Sequence, residues 1–283
     1  MAVGLNGSAS DGIVLTTSDG GAAWEAVAVP AGATVITSVA CPSASNCTVI
    51  ATDGTTFWSA QTVDFGRQWQ RAGSLPAGVQ DAGSLTCVTG GSCLVTGFTA
   101  TTAGHGQGAI VISADDGTTW AAAAVPAKTG LLQSVVCATV TSCVAAGTTS
   151  TTVSAIVPAR GELLMSQDGG QTWTLSTAKL SIDDVFAVAC PSPRICAMVG
   201  TTWVGDPAIG TGGVAQSRNS GESFRALTTE YTPLPLTALD CPSTRACIGV
   251  GGNTLAQIAL TAIKPAAATL SGGAQRSRPR RRD

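Results

Sequence analysis

Across 283 residues the chain has a single histidine, His105, and a single tyrosine, Tyr231. A zinc site needs four ligands, and zinc knuckles set their cysteines two to four residues apart. Here the ten cysteines stand in pairs with five residues between the partners, one pair per segment of chain, so neither metal nor any other cofactor is expected. Charge is also scarce, at 11% of residues. No apolar run reaches the roughly 18 residues of a membrane span, so no transmembrane segment is predicted. The longest candidates are broken by Pro, Gly or Arg. No stretch keeps a helical period beyond two turns, and Gly, Thr, Ser and Val dominate, which favours strands and turns. A Gly-rich phosphate loop and a nucleophile elbow are both missing. The opening residues, MAVGLNGSASDG, have neither the basic nor the apolar region of a secretory signal.

What charge there is lies unevenly. Arg276–Asp283 holds five Arg and one Asp, which leaves 10 basic and 16 acidic residues for the rest. A mildly acidic body has no electrostatic footprint for nucleic acid, and none is expected as a partner. The basic end reads as a solvated tail.

The cysteines supply the strongest pattern. Cys41/Cys47, Cys87/Cys93, Cys137/Cys143, Cys190/Cys196 and Cys241/Cys247 are each six positions apart. An aromatic precedes each first cysteine by 17 or 18 positions: Trp24, Trp69, Trp120, Trp173 and Phe224. The chain is thus an array of one supersecondary unit repeated about every 45–53 residues. Each pair sits in a strand–turn–strand string such as SVACPSASNCTVIA or AVACPSPRICAMVG, and Pro42, Pro191 and Pro242 preset the turn. A connection of this length is a normal hairpin and sets the two cysteines opposite one another, at about the 5.5 Å Cα separation of a disulfide. Five regularly placed pairs read as structural bonds rather than reactive thiols, and disulfides place the protein outside the cytosol.

A second string keeps step with the first: TSDGGAAW, TVDFGRQW, SADDGTTW, SQDGGQTW and the degraded SRNSGESF. The Ser or Thr hydroxyl and the carboxylate of Asp19, Asp64, Asp115 or Asp168 (Asn219 in the last copy) can take up the N–H groups of a turn. Glycine supplies the left-handed residue, and the aromatic caps the turn with buried area.

This second pattern resembles the Asp-box, or BNR repeat, of sialidases, sortilin-type receptors and photosystem II assembly factors, over residues 11 to about 262. The resemblance implies an all-β fold, a β-propeller, with the box as a folding element away from the ligand face. About five to six four-stranded antiparallel blades are expected, each with one cystine hairpin and one box hairpin. Residues 1–262 would be a single propeller domain, and 263–283 a disordered tail. Within a blade of strands A to D, strand A should end at the first Cys and strand B should start at the second. The A–B and C–D turns share one end, so cystines and boxes should staple one rim. The B–C and D–A connections then form the other rim. From the second Cys to the next box the B–C interval runs 15, 20, 23 and 21 positions. Length variation of this kind marks an interaction face. Its longest segments carry His105, Arg160, Trp203 and Asp206, the candidate ligand contacts.

The segment MAVG matches the B strands CAMVG and CVAAG, so the chain begins in mid-blade. Either the N-terminal C–D hairpin completes the C-terminal A–B hairpin and closes a five-bladed ring, or the start is truncated; truncation is the reading taken. The functional expectation is a secreted, monomeric, non-catalytic propeller that binds a protein, glycan or wall polymer through its B–C rim. The alternative is a sialidase-like glycoside hydrolase. That chemistry uses a Tyr nucleophile. Tyr231 lies in a D–A connection, and Arg67, Arg194 and Arg245 sit in or beside the stapled turns. The carboxylate pairs Asp115/Asp116 and Asp183/Asp184 read as turn formers.

Overall fold

The computed structural model describes residues 1–5, 12–102, 105–151, 159–204, 209–227, 235–251 and 254–260. The described residues build six antiparallel sheets in a propeller. Blade 1 is β1 (Ala2–Leu5), β2 (Gly12–Thr16) and β3 (Glu25–Ala26). Blade 2 is β4 (Val35–Ala40), β5 (Cys47–Thr52), β6 (Phe57–Thr62) and β7 (Gln70–Ser74). Blade 3 is β8 (Val79–Cys87), β9 (Cys93–Thr102), β10 (His105–Ser113) and β11 (Ala121–Ala122). Blade 4 is β12 (Leu132–Cys137), β13 (Cys143–Thr148), β14 (Gly161–Ser166) and β15 (Thr174–Leu175). Blade 5 is β16 (Asp184–Ser192), β17 (Ile195–Val204), β18 (Ile209–Ser217) and β19 (Arg225–Ala226). Blade 6 is β20 (Ala238–Ser243), β21 (Ala246–Gly251) and β22 (Thr254–Ala259).

Strands follow one another outward in sequence order, and the innermost strands β4, β8, β12, β16 and β20 pack side by side around the axis. Strand β1 packs on β4. The terminal hairpins do not merge into one blade: β1–β2–β3 and β20–β21–β22 are separate three-stranded sheets. That excludes the five-bladed closure, the alternative to a truncated start, and gives six blades, within the five to six expected.

The core lies between blades, because strands flanked by sheets on both faces must be apolar on both. Strands β5 and β13 are buried at every residue. One cluster joins Val14 and Ile36 to the fully buried Trp58; another joins Val144 and Leu163 to Val188 and Met198. Arg71 lies 4.3 Å from the centroid of Trp58, covering its ring with a cation.

All five cystines form, one in each of blades 2 to 6: Cys41–Cys47, Cys87–Cys93, Cys137–Cys143, Cys190–Cys196 and Cys241–Cys247. Their Cα separations are 3.9–4.1 Å, closer than the 5.5 Å expected from sequence. The ladder gives the reason. Val88 N–H donates to the Ser92 carbonyl at 2.9 Å, so Cys87 and Cys93, one step along, form a non-hydrogen-bonded pair, the closer of the two antiparallel types.

The second cysteine of each pair is sunk into the core: Cys47, Cys93, Cys143, Cys196 and Cys247 are only 0–3% exposed. Cys196 packs among Val144, Val188 and Met198, and Cys247 among Val199, Leu236 and Ile258. These sulfurs serve packing and cross-linking and offer nothing to a ligand. The expected strand bounds need correction in blades 5 and 6. There the ladder runs past the cystine to Ser192 opposite Ile195 and Ser243 opposite Ala246, after a register shift. Cys196 and Cys247 therefore lie second in β17 and β21 rather than at their starts. A short polar turn makes this possible: the Ser192 hydroxyl accepts from Ile195 N–H, and Ser243 from Ala246 N–H, each at 3.2 Å.

The five Ser/Thr-x-Asp/Asn-x-Gly turns share one hydrogen-bond set. The hydroxyl donates to the carboxylate or amide oxygen at 2.7–3.0 Å. It accepts from the glycine N–H at 2.8–3.0 Å. The same acid or amide oxygen accepts from Ala23, Gln68, Thr119, Thr172 or Ser223 N–H at 2.8–3.0 Å. These turns touch the cystine loops beside them: Asp116 N–H donates to Gly91 C=O at 2.7 Å, and Gly169 N–H to Thr141 C=O at 2.9 Å. Cystines and pinned turns therefore occupy one rim. The turn glycine also meets the preceding blade, and Ser59 donates its hydroxyl to the Gly117 carbonyl at 2.5 Å.

Candidate functional site

The opposite rim is uneven because two hairpins are long. Strand β9 runs ten residues from Cys93, and β17 is also ten residues long, against six each for β5 and β13. At about 3.4 Å per residue the extra three or four residues make these strands roughly 10–14 Å longer than β5 and β13. Blades 3 and 5, which carry them, stand on either side of blade 4.

Each long hairpin carries an aromatic over a cross-strand glycine. A Cβ on Gly106 would fall 2.7 Å from Phe98, and one on Gly210 would fall 3.1 Å from Trp203. The missing methyls let the rings lie flat, and Trp203, paired with Gly210, is half-buried. Its backbone N–H donates to the Asp183 carboxylate at 2.8 Å, and Thr202 donates its hydroxyl to Ser181 C=O at 3.0 Å. The D–A connection entering blade 5 is thereby sewn along β17.

The neighbouring Asp184 reaches sideways and accepts from the Gln133 amide at 2.8 Å, linking blade 5 to blade 4. Burial raises its carboxyl above the ordinary range, and the Gln133 bond partly opposes that. So Asp183 and Asp184 are fasteners between elements, not turn formers; their side chains reach elements that are remote in sequence. Asp115 is the turn former of its pair, held down to about 2 by the Thr119 N–H, with the Thr119 and Ser113 hydroxyls adding to it. Gln133 also lines a cavity of about 210 Å³ between blades 3 and 4, with Asp81, Gly97, Phe98, Leu131 and Leu132.

Of the residues singled out from sequence, His105 starts β10 at a bulge, Arg160 is exposed just ahead of β14, and Trp203 lies on β17. The blade 4 connection is tied at its neck by Thr149 N–H to Arg160 C=O at 2.8 Å, and Gly106 N–H of blade 3 reaches Thr151 C=O at 2.7 Å. These three positions share the rim on consecutive blades. Asp206 and Tyr231 lie outside the described residues. Sequence reasoning missed Asp81 and Gln133, which sit in the inner strands β8 and β12, and Phe98, which sits on β9 within the long B–C segment of blade 3.

Beneath this rim Glu162 is only 6% exposed and accepts from Gly130 N–H at 3.1 Å; burial raises its carboxyl. The two rims thus respond oppositely to acid. The turn aspartates Asp19, Asp64, Asp115 and Asp168 are lowered by hydrogen bonds. Their contribution to stability is present above about pH 4, the unfolded value, and is lost as pH falls through their lowered folded pKa values, about 2 for Asp115 and Asp168. The raised Glu162 and Asp184 carry a cost at neutral pH that is relieved as pH falls below their folded pKa values. A thermal midpoint that peaks in mildly acidic buffer is expected, and Glu162→Gln should flatten the fall on the neutral side. An unchanged neutral limb in that variant would contradict the assignment.

No family model matches the chain, and no curated protein matches it. Solved structures do. YCF48 bound to a D1 peptide has a TM-score of 0.51 at 14% identity, over 89% of this chain and 86% of that one. The GH74 xyloglucanase of Xanthomonas campestris has 0.54 at 14%, over 88% and 42%. The Trypanosoma rangeli sialidase in complex with the inhibitor DANA has 0.54 at 12%, over 85% and 48%. This chain spans less than half of either hydrolase. At these identities the likeness carries the propeller fold alone.

Proposed function

We propose that the protein is a non-catalytic binding scaffold that holds a protein, glycan or cell-wall polymer on the rim over blades 3 to 5. The pair of long hairpins on blades 3 and 5 carries this reading, together with the cavity between blades 3 and 4, whose lining is largely apolar with Asp81 and Gln133 as its polar groups. In the same reading the pinned turns are Asp-boxes with a purely structural role, and the protein acts as a monomer in an oxidising, extracytoplasmic setting, which suits its five disulfides.

The hydrolase alternative gains little from the arrangement of the arginines. Arg194 and Arg245 lie inside cystine loops and Arg67 inside a pinned turn, all on the stapled rim. Against a glycan array and a panel of surface polymers, the protein is expected to retain at least one ligand. Trp203→Ala should weaken that ligand about tenfold or more, the loss of one well-placed aromatic anchor. Turnover of a fluorogenic sialoside that disappears in Tyr231→Phe would overturn the non-catalytic reading.

A further inference from the structure

The stapled rim holds a second concave surface. Between the outer hairpin of blade 1 and the pinned turn of blade 2 lies a groove of about 540 Å³, lined among others by Asp19, Trp24, Glu25, Ala26, Phe65 and Arg67. This volume falls within the 300–1,000 Å³ range of ligand pockets. Trp24 is 48% exposed and Phe65 46%, whereas Trp173 at the equivalent turn position is 5% exposed.

Phe65 also occupies a costly conformation. Its φ is +64°, and the same turn position elsewhere holds Gly20, Asp116, Gly169 and Ser220. Glycine and Asx residues enter the left-handed region readily, and a bulky aromatic there is an outlier of the kind that clusters at binding sites. The fold gains only part of the ring's area in exchange, because about half of it stays in solvent.

The floor of the groove is a sheet edge. Val27 N–H donates to Val14 C=O, so residues 25 and 27 face β2, and by the alternation of the ladder the Ala26 N–H and C=O point outward. Ala122 of β11 faces outward in the same way, and at the junction of blades 3 and 4 backbone bonds reach the next blade only two residues further on. Ala124 donates its N–H to Gln171 C=O and accepts from Trp173 N–H, at 3.0 and 3.1 Å. Four residues past Trp24, the matching Ala28 gives its carbonyl to the Trp69 indole at 2.8 Å, and among the described residues no backbone bond joins it to blade 2. In this the junction is like those of blades 2 with 3 and 4 with 5, where among the described residues no backbone bond is seen from Gly73 or Thr177 to the next blade; what sets it apart is the pair of exposed rings.

We infer that this groove binds an extended peptide, which pairs with the outer edge of β3 and sets apolar side chains against Trp24 and Phe65. Strand addition of this type takes affinity from main-chain bonds and specificity from pockets for alternate side chains. The outward N–H and C=O of Ala26 have the spacing that an antiparallel backbone matches in both groups at once, which is what favours peptide over glycan. Thr17 and Ala23 take Asp19 Oδ1 alone and favour its ionised form, so Asp19, Glu25 and Arg67 supply the charge that a bound peptide would meet. This site is independent of the rim over blades 3 to 5.

The test is selection of a random dodecapeptide phage library on the oxidised protein, followed by fluorescence anisotropy with the synthetic winners. Affinity is expected to fall at least tenfold in Trp24→Ala and in Phe65→Gly and to be unaffected by Trp203→Ala. N-methylation at alternate peptide residues should abolish binding. Phe65→Gly should hold or raise the thermal midpoint, because glycine adopts the required φ freely, so lost binding there is not lost folding. Winners that ignore both groove substitutions, or winners that tolerate N-methylation, overturn the inference. So does an oligosaccharide array whose hits depend on Trp24 and Phe65.

Discussion

In reductant at neutral pH the protein is expected to lose most of its thermal stability, with the midpoint falling by tens of degrees or the transition disappearing. Each cystine closes a ring between residues six apart. On the chain-entropy model one such ring is worth about 2 kcal/mol. Five together approach the roughly 5–15 kcal/mol by which native proteins exceed their unfolded states. The rings also hold the pinned turns, whose N–H groups donate to carbonyls inside the cystine loops at Ser45, Gly91, Thr141 and Arg194. Loosening a loop therefore frees a turn, and the turn in turn anchors the preceding blade through contacts such as Ser59 to Gly117. Scanning calorimetry with and without phosphine reductant reads the effect, and thiol titration confirms opening. A midpoint unchanged when ten thiols titrate would show that the rings are ornamental. The paired change Cys137→Ser with Cys143→Ser should cost about 2 kcal/mol, a few degrees for a chain of this size.

The features legible in the sequence are those that repeat. Two strings in fixed register determine strand order and the rim that each turn occupies, because each string has one local geometry; five copies left the blade count at five or six, and six sheets form. Relations between strands were less legible. The cysteines are closer than expected because their place in the ladder depends on which flanking pair is hydrogen-bonded, here Val88 with Ser92. Cys196 and Cys247 share the spacing of the other pairs, yet a serine-capped turn carries their strands one residue further. Asp183 and Asp184 read as a turn, yet their oxygens bind Trp203 N–H and the Gln133 amide, 20 and 51 positions away. Phe98 and Gln133 lie in strands, where nothing in a single sequence separates a rim-facing residue from a buried one. Phe65 stood in plain view as the odd residue of TVDFGRQW; only its φ of +64° shows what the aromatic does to the turn.

One further repeat has the strongest consequence for mutation. Four residues past the second cysteine stand Gly97, Gly147, Gly200 and Gly251. A Cβ on the first three would lie 2.2, 2.0 and 1.9 Å from the backbone carbonyl oxygens of Asp81, Leu131 and Asp184. These carbonyls are pushed forward by bulges near the start of β8, β12 and β16, where the register against the next strand shifts. The glycine is thus required by close approach rather than by φ. Gly200→Ala is expected to cost about 1–3 kcal/mol, the usual range for overpacking, and Gly200→Val more, since a backbone oxygen cannot rotate aside as a side chain can. At about 2–4 °C per kcal/mol, the alanine variant should melt several degrees early. The displaced residue is Asp184, whose carboxylate ties blade 5 to Gln133 at the rim. Ligand retained on that rim should therefore weaken in Gly200→Ala even at temperatures where the variant is fully folded. Blade 2 is the contrast: it carries a fully buried Ala51 at this position, with its own bulge between Ile36 and Ser38, so there a methyl fits, and Ala51→Gly should relieve nothing and cost about 1 kcal/mol. Equal melting of Gly200→Ala and the parent would mean that the β16 bulge yields without resistance, and the rim is then not held by it.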